Sequence, residues 1–557
     1  MMCRVLIPLV SCSLLVACSA NPGPAPIEEA STETTTSTPK AVEEKKLSHI
    51  SVGIDPIEAG YNPHLLIDDS RFTRTLSELV LPSAFIGGEL NRDLLSIAAI
   101  EPETSNQASS LMGAQTIRYE ITNEAQWSDG TPITVSDFEY LWQQITTNPG
   151  TLNHALYRKI DAIRSTNGGK TVFVDLTEPI ANWQQLFTHL IPSHLVRGQS
   201  FTLALSEGIP ASGARYSIGN IDRQRGVMTL NRNDRFWGKQ PAKTEQLIFR
   251  ELRSTTQAVA MIENGQLGFI DITPTQTAQL AFELIPGAQI RQETTDRVLS
   301  MHFNAALDAE IREQLIKMID RVRVAHIASG RTENLGIQYP DTAQEAEISV
   351  PTTSITLGVD PSNATAAVAA RTIRDMLVQK NISVRLIEMP ISQLFQRKDL
   401  AAVIAWMPHN ELGQFQCRES VNHTATTSIS TSSRYLENIL EEDQPSHASS
   451  VVTESVLPSS STAVPEEEQL LTTYGGTNLT GFCSAHVDQA INNYLLGELD
   501  AEQLAVELST PRSLILPLLG DVHLEVLGES IIGPTEELSS WPYGLTSIQT
   551  WSTREQS

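Results

Sequence analysis

The stretch 399–410, DLAAVIAWMPHN, carries an apolar run out into an indole, a thioether, a proline and an imidazole. Trp406 offers a flat apolar face, His409 a ring that donates or accepts, and Asn410 an amide that does both. These groups suit binding: they stack on a ring and hydrogen-bond its substituents. No carboxylate follows Trp406 until Glu411. Two further clusters have the same character. DPIEAGYNPH, residues 55 to 64, brings Tyr61, Asn62 and His64 behind a short apolar run, and Asp271 with Thr273 ends another, LGFIDI. Catalytic patterns are lacking, with no G-x-S-x-G, no H-E-x-x-H and no phosphate-cradling glycine loop. The twelve histidines are scattered, so neither a metal-ligand set nor a cofactor is expected. Asp129 in WSDG, beside Gly130 and Pro132, reads as a turn-former before a helix rather than a general acid.

The elements that must position these residues follow from periodicity. HISVGID (49–55) is a short apolar strand, and TIRYEI (116–121) and TVFVDL (171–176) alternate like half-exposed antiparallel strands. VSDFEYLWQQI (135–145) puts Phe138, Leu141, Trp142 and Ile145 on one helical face, with Ser136 as its expected cap. VMTLNRND returns to strand. Beyond it, helix and strand alternate. STTQAVAMIENG, AEIREQLIKMIDRVRVAHIA (one long helix), ATAAVAARTIRDMLVQKN and SQLFQRK are expected helices; LGFIDI, LSMHFN, SITLGVD, ISVRLIEM and DLAAVIAWM are expected strands. That spacing implies βαβ units and a parallel sheet, hence an α/β fold. In such sheets ligands sit beyond the carboxyl ends of the strands, which gathers Tyr61, Asn62, His64, Asp271, Trp406, His409 and Asn410 at one lip. The bland alternatives are a core tryptophan at 406 and a capped loop histidine at 409.

Composition bounds the setting. Arg4, the apolar run Val5 to Ala17 and LVAC (15–18) are expected to be a signal peptide, too short for a membrane span, with Cys18 as the lipid-anchored residue of a lipobox. Residues 19–47, rich in Pro, Thr, Ser and Glu, read as a disordered tether. A formal charge of −26 argues against nucleic acid and against direct binding to anionic lipid headgroups. Cys3 and Cys12 fall in the signal and Cys18 in the anchor, which leaves Cys417 and Cys483 to pair as one disulfide in an oxidising compartment. The Ser/Pro/Glu-rich stretch between them, about 425–470, reads as a disordered insertion.

Four blocks, QWSDGTPITVSDFEYLW (126–142), GARYSIGNIDRQRGVMTLNRNDRFWG (213–238), NLTGFCSAHVDQAI (478–491) and LILPLLGDV (514–522), resemble in order those of family 5 extracytoplasmic solute-binding proteins, the oligopeptide and dipeptide type. The resemblance implies a two-lobed, class II periplasmic-binding-protein-like fold. Lobe I would hold 48–298 plus 512–557, with an extra subdomain at about 65–210, and lobe II 299–511. In peptide-binding members the stretch matching AVIAWMPHN carries an aspartate that pairs with the peptide ammonium. Its absence here implies a cleft unsuited to a free peptide, since a buried unpaired ammonium costs roughly several kcal/mol. VGIDPIEAGYNPHLLIDDS, LVLPSAF, NDRFWG and NLTGFC resemble more narrowly an actinobacterial lipoprotein branch of the family, implicated in controlling phosphatidylinositol mannoside, lipomannan and lipoarabinomannan synthesis. That resemblance implies a non-catalytic, membrane-anchored protein acting on a membrane mannosyltransferase, with a mannolipid or other small molecule in the cleft. The alternative within the family is a receptor delivering peptides or another small solute to an ABC permease.

Overall fold

The computed structural model describes residues 48–101, 115–339, 354–418, 420–421, 473–474, 476–541 and 544–554. The expected signal peptide with Cys18, the tether at 19–47 and the insertion at about 425–470 lie outside the described residues.

Most strands are segments in which Val, Ile, Leu or aromatic residues recur at alternate or successive positions. In chain order those of the two principal sheets are β1 (His49–Ile54), β2 (Leu95–Ile100), β3 (Gln115–Ile121), β4 (Ile160–Thr166), β5 (Thr171–Leu176), β6 (Tyr216–Asp222) and β7 (Val227–Arg232). Next come β8 (Gln246–Glu251), β9 (Phe269–Ile272), β10 (Gln289–Phe303), β11 (Ile355–Val359), β12 (Val384–Glu388), β13 (Ala402–Pro408) and β14 (Ile515–Leu527). Strands β2 to β5 form a four-stranded antiparallel sheet in the order β2-β3-β5-β4. The other ten make one sheet in the order β12-β11-β13-β10-β14-β9-β1-β8-β7-β6.

The expected parallel sheet is therefore present as two islands. β1 runs parallel to β8 and β9, and β11 runs parallel to β12 and β13. Between the islands lie β10 and β14, of 15 and 13 residues, paired antiparallel with each other and with their outer neighbours. Their register shifts between Thr294 and Val298 and again at Leu299/Ser300. Beside these irregularities two glycine backbones pass so closely that a Cβ on Gly520 would lie 2.6 Å from the Gly336 carbonyl carbon.

Helices α1 (Arg71–Val80), α2 (Val135–Thr147), α3 (Thr255–Glu263), α4 (Ala309–Met318), α5 (Arg321–Ser329) and α6 (Ala364–Gln379) cover these sheets. In α6, Ala366, Ala369, Ala370, Ile373 and Leu377 recur at helical spacing and are buried against β11 and β13, while Asn363 caps the start by accepting from the Ala366 N–H. The expected long helix at 309–328 is two: Ile319 is extended and Asp320 caps α5, accepting from the Arg323 N–H, which breaks a continuous apolar period. In α2 the cap is Thr134 rather than Ser136, because Asp137 reaches back to the Thr134 N–H in a capping box. SQLFQRK keeps a single turn, Ile391–Leu394. Cys417 and Cys483 are joined by a disulfide with Cα atoms 4.4 Å apart.

Candidate functional site

The carboxyl ends of the parallel strands meet at a cavity of about 330 Å³. Asp55 and Glu58 come from the loop after β1, Asp271 and Thr273 from the end of β9, Asp360 and Asn363 from the turn after β11, and Trp406 from the end of β13. This is the crevice that open α/β sheets present to ligands.

The middle strands supply its charges. On β10, Arg291, Glu293, Thr295 and Arg297 occupy every second position, and on β14 Asp521, His523 and Glu525 alternate with Val522, Leu524 and Val526. The register sets Arg291 opposite Glu525 and Glu293 opposite His523, so two polar strand faces line up. Arg71, in the first turn of α1, lies on that combined face. Its Nε donates to Asp271 Oδ2 at 2.7 Å and its Nη2 to Glu293 Oε2 at 2.8 Å, and it also pairs with the fully buried Glu525. Arg291 Nε reaches Glu525 at 2.8 Å. Arg297 pairs with Asp69 at 3.0 Å and Asp521 at 3.2 Å, and its guanidinium lies 5.2 Å from the Trp406 ring centroid.

His523 sits between two acids, with Nδ1 2.8 Å from Asp271 and Nε2 3.4 Å from Asp521. Burial works against its charge, but the two carboxylates outweigh burial and hold the imidazolium up to about 10. In return His523 and Arg71 hold Asp271 low against its own burial, and His523 and Arg297 hold Asp521 well below the usual carboxylate range. Other acids answer to burial instead. It raises Asp55, despite two bonds from Thr273, and Glu58, and pushes Asp68 up to about 6 although the Gly60 and Asn62 N–H groups donate to it. Seven carboxylates (Asp55, Glu58, Asp68, Asp69, Asp271, Asp360 and Asp521) line the cavity against Arg71, Arg297 and His523.

This corrects the expectation that the missing aspartate after Trp406 leaves the cleft without a carboxylate for a peptide ammonium. The gap after Trp406 is real locally, yet carboxylates arrive from other elements. Arg297, which lies over the indole, neutralises Asp69 and Asp521, whereas Asp55 and Glu58 have no paired cation among the described residues. Of the seven expected cleft residues, Asp271 and Trp406 line the cavity and the other five do not. Tyr61 is buried under Arg223 at the wall of a smaller cavity of about 110 Å³. Asn62 ties the loop, donating to the Phe201 carbonyl and accepting from the His64 N–H. His64 bonds the His189 carbonyl at 2.9 Å, and burial pushes it down to about 3, so it is a neutral core group. His409 and Asn410 are exposed beyond β13, where the His409 N–H is held by the Asp296 carbonyl at 2.7 Å. Glu411 is buried, accepting from the Asn153 and Gly413 N–H groups, and is structural. Trp406 is half-buried, its Nε1 donating to Asn363 Oδ1 at 3.2 Å. Asp129 accepts from the Thr131 N–H at 2.9 Å in the turn before α2.

Comparison with known proteins gives this arrangement a context. The model of bacterial extracellular solute-binding proteins, family 5 middle, matches residues 108–404. Among curated proteins, the probable monoacyl phosphatidylinositol tetramannoside-binding protein LpqW of Mycobacterium tuberculosis is 32% identical over 340 residues, 58% of this chain and 51% of that one. The chain thus spans about half the length of that relative. The oligopeptide-binding protein OppA of Mycobacterium bovis is 26% identical over 228 residues, 38% of each chain. Among solved structures, the oligopeptide-binding protein AppA of Bacillus subtilis, in complex with a nonapeptide, shares the fold with a TM-score of 0.57 at 12% identity, covering 91% of this chain and 99% of that one.

Proposed function

The chain belongs to the bacterial extracellular solute-binding proteins of family 5, a family of binding proteins rather than enzymes, and on that premise we propose that its cavity takes a neutral, hydroxyl-rich ligand, the glycan end of a mannolipid. The observation that carries this reading is the ring of carboxylates around one indole. Carboxylates are acceptors only, so they satisfy ligand hydroxyls, and a half-buried tryptophan suits the C–H face of a sugar ring. The same acid excess repels a phosphodiester, which would stay outside the cavity while the glycan enters. The name of the LpqW relative, a probable phosphatidylinositol tetramannoside-binding protein, supports the ligand class. On this reading the protein is held at the membrane through Cys18 and acts on envelope mannolipid synthesis. Ligand entry would close two lobes, 48–298 with 512–557 against 299–511, by twisting β10 against β14.

A second reading, receipt of a cationic solute such as a peptide ammonium for an ABC permease, is favoured by Asp55 and Glu58, which no basic side chain pairs among the described residues. Titrating the protein with mannose oligosaccharides and with short peptides separates the two. A ligand at a hundred times its dissociation constant adds about 2.7 kcal/mol to stability. Stabilisation by the oligosaccharides, lost in Trp406→Ala, is expected; stabilisation by peptides alone would replace the first reading with the second. For the envelope role, a gene deletion should change the lipomannan profile, and an unchanged profile would refute it.

A further inference from the structure

A second cavity, of about 340 Å³, opens at the opposite end of β13 from Trp406, roughly 10 Å away along the strand. Its chemistry is the reverse of the first. Arg397, Lys398 and Arg418 line it, and no carboxylate does among the described residues, in a chain whose formal charge is −26. Arg397 is held by Asp399 at 2.6 Å, and Arg418 donates to the carbonyl oxygens of Asn478 and Phe395, which fixes both guanidiniums in place. Lys398 is exposed and has no acidic partner among the described residues. At the cavity wall lies His302 of β10, only 1% exposed. Its Nε2 is buried without a hydrogen-bond partner among the described residues. Burial pushes the ring down to about 4, so it is neutral and one of its two nitrogens is an acceptor. An orphaned buried polar atom is costly to the fold unless something meets it.

We propose that this basic cavity is a second binding site, for a phosphate group that carries or adjoins a hydroxyl. The phosphate oxygens accept from Lys398 and the two guanidiniums, as such groups do in charge-assisted pairs, and the hydroxyl donates to His302 Nε2. A hydrogen phosphate ion or a sugar phosphate meets both demands at once; a plain carboxylate or sulfate meets only the first.

The test uses the full chain. Calorimetric titration with inorganic phosphate is run against potassium chloride at matched ionic strength, with glycerol phosphate as a second probe. Vesicles of phosphatidylinositol in phosphatidylcholine form a third arm. Saturable phosphate binding is expected, weakened tenfold or more by Lys398→Glu and by His302→Asn, and unchanged by Trp406→Ala in the other cavity. Should the buried His302→Asn fail to fold, the exposed Lys398→Glu still decides. Binding of the free phosphates without the vesicles assigns a soluble compound. Vesicle binding that Lys398→Glu abolishes assigns a lipid headgroup. Heat no greater than that of chloride, or a Lys398→Glu titration that overlays the wild type, overturns the site. Because Trp406→Ala touches only the first cavity, failure here and failure of the glycan reading remain distinguishable.

Discussion

His523 makes the chain's stability depend on pH in a definite direction. Its imidazolium is held up to about 10 between Asp271 and Asp521, against an ordinary value of 6.5. A group whose folded value is raised contributes fully below its unfolded value and loses that contribution as pH climbs toward the folded one. The window therefore runs from about pH 6.5 to about pH 10, with stability falling as pH rises. At about 1.36 kcal/mol per unit the whole span is worth at most about 5 kcal/mol. The same attraction is what holds the two aspartates low, so it counts once. Arg71 still faces Asp271 and Arg297 still faces Asp521 when the imidazole goes neutral, and about 2–3 kcal/mol is the reasonable expectation. With an unfolding entropy near 2.1 cal/mol/K per residue, a folded region of roughly 500 residues turns 3 kcal/mol into about 3 °C. The measurement is the melting temperature of wild type and His523→Gln from about pH 6 to about pH 10, the variant cancelling the general loss of stability in alkali. The wild type should lead at the acid end and the gap should narrow steadily toward about pH 10. A gap that stays constant across that range, or widens, would show that His523 is not charged in the fold.

Other perturbations follow from the same geometry. Arg297→Met removes two ion pairs and the contact with Trp406 but leaves Asp69 to Arg74 and Asp521 to His523, so a loss of about 2–3 kcal/mol in urea unfolding is expected. Replacing Cys417 and Cys483 together by serine opens a loop spanning 66 positions, for which the chain-entropy model gives about 4 kcal/mol; an unchanged melting temperature would mean the cross-link constrains little. Gly520→Ala drives a methyl group into the Gly336 backbone, which cannot move aside as a side chain would, so its cost should exceed about 2 kcal/mol. Gly330→Ala, where a Cβ meets only open space but φ is +67°, should cost about 1 kcal/mol and serves as its control.

The strand-tip rule found Asp271 and Trp406 because both close apolar runs, the signal that marks a buried parallel strand. Asp360 closes SITLGVD in the same way and is the cavity residue that pattern could also have delivered. Arg297, Asp521 and His523 carried no comparable signal. Asp521 and His523 alternate with apolar neighbours, which ordinarily means one wet face, and Arg297 ends a polar run that reads as exposed. Here the polar faces of two adjacent strands are dried by each other and by Arg71, a pairing more than 200 positions apart that local periodicity cannot register. The same limit explains Tyr61, Asn62 and His64. Asp68 gathers the Gly60 and Asn62 amides and turns the loop inward, so those side chains enter the core instead of the lip.

The position of β14 bears on how the molecule comes to be made. It lies between β9 and β10 in space yet follows every other strand of the large sheet in chain order. Until residues 515–527 have been synthesised, β9 lacks its partner on that side and the two halves of the sheet cannot join. Pairings this distant are slow to form, and they leave the nascent polypeptide open for most of its synthesis. For a member of an extracellular family that delay is an advantage, since a chain that matures late can still be threaded through a translocation channel.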